Sequence, residues 1–202
     1  MKLFRPNIKY FKSLIGEKPT YINICSPWIS EEGINLLKDT LFSKDLTFLK
    51  SIEIWFRLTF DDFIYERMDY YGLIEFCDRL IETIGENILF LRHSNNLHAK
   101  IYRCDNSFII GSANLTKGGF YDNIEIAVQD KINNEKMILI LESIRTILFP
   151  INLMQLKMFI KMCEKKNSND LRMLVNELKL KLQKIQIPNI ESKVPPHFKI
   201  PW

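Results

Sequence analysis

The sequence predicts an α/β fold in which a mixed β-sheet is flanked by helices and followed by a helical C-terminal extension. Three observations predict it. Strand and helix patterns alternate up to Gly85, four short strand-like runs crowd between Ile88 and Val128, and after Asp130 the pattern turns helical. Alternation followed by clustering fits a sheet with parallel and antiparallel neighbours, because crossover helices are needed only between parallel strands.

The first strand is read over Tyr21–Ser26, where bulky and small residues alternate before Pro27 stops the pattern. Ser30 then stands where a helix cap is wanted, with Glu31 and Glu32 placed to complement the helix dipole. Ser51–Leu58 reads as a second strand with Ile52, Ile54 and Phe56 on one face. Between Tyr65 and Ile84, Met68, Tyr71, Ile74, Leu80 and Ile81 fall near helical spacing, and Gly85 is placed to end the helix. Four strands are expected at Ile88–Leu91, Leu97–Tyr102, Ser107–Gly111 and Ile124–Val128. Helices are expected over Asn134–Leu148, Ile151–Lys165 and Ser168–Gln186, with Pro150 as the first break. The last carries Leu171, Leu174, Leu178 and Leu182 as one apolar stripe. From Ile187 onward, Pro188, Pro195, Pro196 and Pro201 predict an extended tail. The organisation expected is a core over 1–130, a helical extension over 131–186 that packs on the core or at a subunit interface, and the tail over 187–202.

With 202 residues, 47% of them hydrophobic and 26% charged, the chain can bury a substantial core and is not a disordered one. The net charge of +4 hides an asymmetry. Up to Asp130 there are 15 Lys and Arg against 18 Asp and Glu, and beyond it 13 against 6, so −3 is followed by +7. A basic end fits a polyanionic partner, although a solvated lysine face on a helix is the commoner explanation. Cys25, Cys77, Cys104 and Cys163 lie too far apart for a zinc or redox pair and read as buried thiols in a reducing compartment. No apolar stretch follows Lys2, Arg5 and Lys9, and Met137–Met162 is interrupted by Glu142, Arg145, Lys157 and Lys161. Neither a signal peptide nor a membrane span is expected, and the location expected is cytoplasmic.

The chemistry concentrates between Leu97 and Thr116, in LHAKIYRCDNSFIIGSANLT. Residues two apart in a strand share a face at about 6.6 to 7 Å, so His98 and Lys100 point the same way, with Tyr102 beyond them. Ala99 and Ile101 take the other face. An imidazole beside an ammonium, leading to a Gly111-Ser112-x-Asn114 turn, makes a reception site for a phosphate. Lys100 supplies charge, Ser112 and Asn114 neutral donors, and His98 a nucleophile or a proton.

His98-x-Lys100-x4-Asp105 followed by Gly111-Ser112-x-Asn114 resembles the signature of the phospholipase D superfamily. Five residues, Asn106 to Ile110, separate Asp from Gly where the family usually has about six. Ile24-Cys-Ser-Pro-Trp-Ile29 is similar to the family's first core strand and its exit, and Asn123-Ile-Glu125-Ile-Ala-Val128 to the strand bringing an auxiliary acid. The resemblance is nearest to the bacterial nuclease branch, which includes metal-independent restriction endonucleases, and it implies a phospholipase D-like fold.

The resemblance further implies two histidines about one phosphate, hence a homodimer when the motif occurs once. His98 would be nucleophile in one subunit, forming a phosphohistidine, and general acid and base in the other. Lys100 and Asn114 would hold the non-bridging oxygens, Ser112 would add a hydrogen bond, and Glu125 would orient His98. No metal and no cofactor are implied, since Lys100 and Asn114 take the electrostatic role. Asp105 is read as a turn residue and is left out of the catalytic set. The function expected is a metal-independent phosphodiesterase cleaving nucleic acid, DNA above RNA, in restriction, defence or repair. A helicase or recognition subunit is a possible further partner, and no membrane is expected. Two alternatives stand beside this: a nucleic-acid-binding or scaffolding subunit with a phosphate pocket, and a phospholipid or small phosphodiester hydrolase.

Other candidates carry less. Asp61-Asp62 has the look of a metal-binding pair but no further ligands, so a loop or helix-cap role is preferred. His93 reads as a loop residue and His197 has no partner. Gly118-Gly119 offers backbone freedom after the motif turn, where Lys117 could meet a nucleic-acid backbone.

Overall fold

A computed structural model of the chain describes residues 2–131 and 135–166. Eight strands form one mixed sheet: β1 (Lys2–Phe4), β2 (Tyr21–Cys25), β3 (Ser51–Phe56), β4 (Leu89–His93), β5 (Ile101–Cys104), β6 (Ser107–Gly111), β7 (Ala127–Lys131) and β8 (Phe149–Ile151). Their spatial order is β1-β7-β6-β5-β2-β3-β4-β8. The β2–β3 and β3–β4 pairs are parallel, joined by helical crossovers, and every other pair is antiparallel. The helices are α1 (Ile8–Leu14), α2 (Glu31–Leu41), α3 (Phe60–Ile64), α4 (Tyr70–Ile84), α5 (Glu135–Thr146) and α6 (Leu153–Lys166).

Strand alternation sorts side chains onto two faces. Ile22, Ile24, Ile52, Ile54, Phe56, Tyr102 and Ile109 enter the larger core with Phe11 of α1, Leu37 of α2, Leu73 and Phe76 of α4, and Leu156 and Ile160 of α6. Cys25, Trp55, Ile101 and Phe108 enter a smaller core with Leu141 and Leu148, over which α5 lies. Glu53 is buried on this second face. Trp55 Nε1 donates to its Oε2 at 2.9 Å, and Arg145 Nε lies 3.1 Å from its Oε1, so a buried charge ties α5 to the sheet.

The expected α2 begins at Ser30, whose hydroxyl accepts from the Gly33 N–H, and Gly85 ends α4 with φ 86. The expected helix over Tyr65–Ile84 begins later, as α4 at Tyr70, and the short α3, which was not expected, precedes it, with Glu66 at φ 51 between them. β1, α1 and β8 were not expected. β8 places Pro150 opposite Arg92 at the sheet edge, where a residue without an N–H is tolerated. The expected Ser168–Gln186 helix and the tail, with His197, lie outside the described residues. Contact density divides the chain into Met1–Cys163 and Glu164–Trp202, and most of the second unit lies outside them too. Among the described residues no helix is long and apolar enough to cross a membrane.

Candidate active site

The sheet brings one set of strand ends together. β2, β3, β4 and β6 end where β5 and β7 begin, so the exits at Ser26, Arg57 and Ser112 lie along the edge that holds His98 and Lys100. His98–Lys100 precede β5 rather than belonging to it. The partner strand β2 stops pairing at Cys25, opposite Ile101, because Pro27 turns the chain away. The Gly111 N–H still donates to the Lys100 carbonyl at 3.3 Å, which draws the Gly111–Asn114 turn alongside Lys100.

Lys100 is buried while His98 is exposed. The ammonium lies 3.0 Å from His98 Nδ1 and donates to the His98 carbonyl at 2.9 Å. An ammonium has only hydrogens to offer, so the ring nitrogen facing it accepts. Burial pushes the Lys100 pKa below that of an ordinary lysine, and the charges of Glu125 and Cys25 offset part of the fall. The imidazole also meets Trp28, edge to face, at 6.5 Å between ring centres.

The Gly111–Leu115 turn is fastened from three directions. Tyr102 Oη donates to the Ala113 carbonyl at 2.8 Å, and the Leu115 N–H to buried Ser26 Oγ at 2.9 Å. Ser30 bonds the same turn, its N–H donating to the Leu115 carbonyl at 3.1 Å. Two glycines let other chain segments press on it: a Cβ on Gly119 would sit 2.2 Å from the Asn114 carbonyl oxygen, and one on Gly33 2.0 Å from that of Leu115. Gly119 therefore serves close approach, not the backbone freedom its position after the turn predicts. Asn114 is half-buried, and its Oδ1 is buried without a hydrogen-bond partner.

Ser112 Oγ donates to Glu125 Oε2 and accepts from the Ile126 N–H at 3.1 Å. Asn123 Nδ2 donates to Glu125 Oε1 at 3.2 Å. Glu125 is thus held by Ser112 and Asn123, and no hydrogen bond joins it to His98 among the described residues. Arg5 of the N-terminal segment donates to the Asn123 carbonyl at 3.0 Å and steadies the approach to Glu125.

Asp105 lies at the other end of β5. Its φ of 50 makes the tight Cys104–Ser107 hairpin, and Oδ1 accepts from the N–H groups of Thr20 and Tyr21 at 3.0 and 2.9 Å. Burial works against its ionised form, but the bonds from Thr20 and Tyr21 outweigh it and the carboxyl lies below the usual range. The shortened spacing between Asp105 and Gly111 is this two-residue turn.

Asp62 is fully buried and holds the neighbourhood of Trp28. Trp28 Nε1 donates to its Oδ1 at 3.0 Å, Thr59 Oγ1 to its Oδ2 at 2.7 Å, and Arg57 Nε lies 2.8 Å from Oδ2. It is an anchor for three side chains rather than a metal ligand. Among the described residues no three His, Cys, Asp or Glu gather as a metal site. Trp28, Arg57, Asp62 and Arg67 were missed as site neighbours, and the available signal was the Trp and Arg placed just after strands β2 and β3.

No family model and no curated protein sequence matches the chain. Its backbone is similar to that of three solved structures. A phosphatidylserine synthase from Haemophilus influenzae aligns at a TM-score of 0.52 and 14% identity, over 88% of this chain and 42% of its own. A phospholipase D family member, Nuc, from Salmonella typhimurium aligns at 0.49 and 16%, over 71% and 90%. NucT from Helicobacter pylori aligns at 0.47 and 17%, over 70% and 90%. The chain therefore spans about two fifths of the synthase and nine tenths of the two smaller proteins. A mixed sheet flanked by helices agrees with the likeness to the synthase: the chain has a phospholipase D-like fold.

Proposed function

We propose that the protein is a metal-independent phosphodiesterase that cleaves nucleic acid, DNA above RNA, through a phosphohistidine formed on His98. The observation that carries the reading is an exposed imidazole with a buried ammonium 3.0 Å from its ring, beside a turn that offers Asn114. A phosphate oxygen arriving between them would take over the Lys100 ammonium and release the imidazole lone pair toward phosphorus. His98 would form the N–P bond as the P–O bond to the leaving group breaks, and a proton from a second His98 would go to that oxygen. Water, deprotonated by the same second histidine, would then break the N–P bond and restore the enzyme.

A second copy of the chain supplies that histidine in this reading. Its support is the apolar surface beside the site: Ile124 is 94% exposed and Ile126 57% exposed, on either side of Glu125. A restriction, defence or repair setting, with a helicase or recognition subunit as partner, belongs to the same proposal and rests on the nuclease-like motif alone.

Cleavage of labelled DNA, RNA and phospholipid in EDTA, with the wild type and His98→Ala, tests the reading. Nucleic-acid cleavage that persists in EDTA and vanishes in His98→Ala is expected, together with a two-chain mass by sedimentation. Full activity in His98→Ala, or loss of all activity in EDTA, would overturn it. Turnover of phospholipid alone would select the lipid alternative, and tight binding without turnover the scaffolding one.

A further inference from the structure

Beyond His98 the edge of the sheet continues into an aromatic and cationic surface that the proposed chemistry does not use. Pro27 turns the chain out of β2 and sets Trp28 edge-on against the His98 ring. Behind Trp28, Asp62 is buried and its oxygens are met at bonding distance by Trp28, Thr59 and Arg57. Arg67 differs from Arg57. Its guanidinium nitrogen is 3.7 Å from Asp62, its side chain is 45% exposed, and one buried carboxylate faces two guanidinium groups. Arg67 is therefore the more loosely paired and the more exposed of the two guanidinium groups.

That charge is also held in place. The Arg67 guanidinium carbon lies 5.8 Å from the centre of the Trp28 ring and 5.3 Å from that of Tyr65, so two aromatic groups limit its movement. The residue before it, Glu66, adopts the left-handed conformation at φ 51, a strained choice for a residue with a Cβ. A planar cation fixed between rings and open to solvent is suited to a phosphate. It and the imidazole are neighbours of the same indole, at 5.8 and 6.5 Å from the centre of its ring.

We propose that Trp28 and Arg67 form a second phosphate subsite, which takes the nucleotide next to the scissile phosphate of a nucleic-acid strand. Arg67 binds that nucleotide's phosphate and the exposed part of the Trp28 ring lies against its sugar and base. This deepens the phosphodiesterase reading and rests on it for the position of the scissile phosphate. It assigns the site to a polymer with repeated phosphates rather than to a small diester, which has nothing to place on Arg67.

The test is the affinity of the full-length protein for a short fluorescein-labelled single-stranded DNA, measured by anisotropy across a salt series. Arg67→Gln is expected to weaken binding about tenfold and to lower the slope of log affinity on log salt by about one. Arg79→Gln removes the same charge from the exposed face of α4, where Arg79 lies over Phe42, and is expected to change affinity by less than about twofold. Unchanged affinity in Arg67→Gln, or an equal loss in Arg79→Gln, overturns the subsite. So does Arg67-dependent binding to anionic phospholipid vesicles with none to the oligonucleotide. Hydrolysis of a small chromogenic phosphodiester by the wild type reports on His98 separately. If neither that diester nor DNA is cleaved while DNA binding still depends on Arg67, the phosphate-binding role of Arg67 stands and the catalytic reading falls.

Discussion

The ammonium of Lys100 reaches back past its own backbone to His98, 3.0 Å from Nδ1 and 2.9 Å from the carbonyl oxygen of that residue. Two residues apart in sequence, they form one unit in which the buried member carries the charge and the exposed member is open to solvent. Lys100→Met shortens the side chain by one atom, removes the charge and fills most of an already buried position. Hydrolysis of a chromogenic diester is expected to fall about 10²- to 10³-fold, and the thermal midpoint to hold or rise. Activity within a factor of about three of wild type would remove Lys100 from the chemistry.

The same burial has a signature in pH. Because Lys100 is harder to protonate folded than unfolded, the unfolded chain binds more protons in the window between its lowered folded pKa and the ordinary lysine value of 10.5. Stability from this group therefore rises with pH through that window, and the penalty of holding the ammonium is fully present below it. Denaturant midpoints of wild type and Lys100→Met should converge as pH climbs toward 10.5. Parallel curves would show that the ammonium is not penalised by burial.

Asp105 behaves in the opposite sense. Its folded pKa is lowered, so its contribution is present above the unfolded carboxylate range and is lost as pH falls through the folded value. Asp105→Ala removes three hydrogen bonds at a left-handed position and is expected to cost about 2 to 3 kcal/mol. Asp105→Asn tolerates the same φ and is expected to cost about half as much, with a flatter acid limb in urea titrations. Equal losses in the two would mean that neither φ nor charge matters at this turn.

Gly119→Ala sets a methyl group 2.2 Å from the Asn114 carbonyl, where backbone must move. A loss of about 1 to 3 kcal/mol is expected, with activity falling further than stability because the turn carrying Asn114 shifts. Gly16→Ala meets nothing within 4 Å and serves as the neutral comparison. Side-by-side melts and turnover decide this; an active, stable Gly119→Ala protein would contradict the close packing.

All four cysteines are buried and none is in a disulfide. Burial pushes the thiols of Cys25 and Cys77 up to about 12 and that of Cys104 to about 11. The native protein is expected to resist a disulfide reagent at pH 8 and to release its thiols only in denaturant. Rapid labelling of the native chain would refute the burial.

Much of this architecture is legible in the residues. Ser30 announces α2, Gly85 closes α4, and Ile52, Ile54 and Phe56 do share a buried face. The pairing of His98 with Lys100 followed from strand parity even though both stand before β5, because an extended segment keeps that parity without a ladder partner. What escaped is of two kinds. β1 and β8 are three residues each, too short to show a period, and exist because β7 and β4 offer open edges. Asp62 could be seen in the sequence but not understood there, since its partners Trp28 and Arg57 arrive from separate strands.

The order of the strands has a consequence in time. β5 and β6 form a hairpin around Asp105 and can pair early, whereas β5 must also find β2, which precedes it by some eighty positions along the chain. His98 stands beside that late seam, and so do Ser26 and Leu115, whose bond crosses it. During refolding, the hairpin can therefore exist long before any competent site does. Recovery of the proposed activity is expected to mark the closing of the seam between the parallel and antiparallel halves, with helix content recovering earlier.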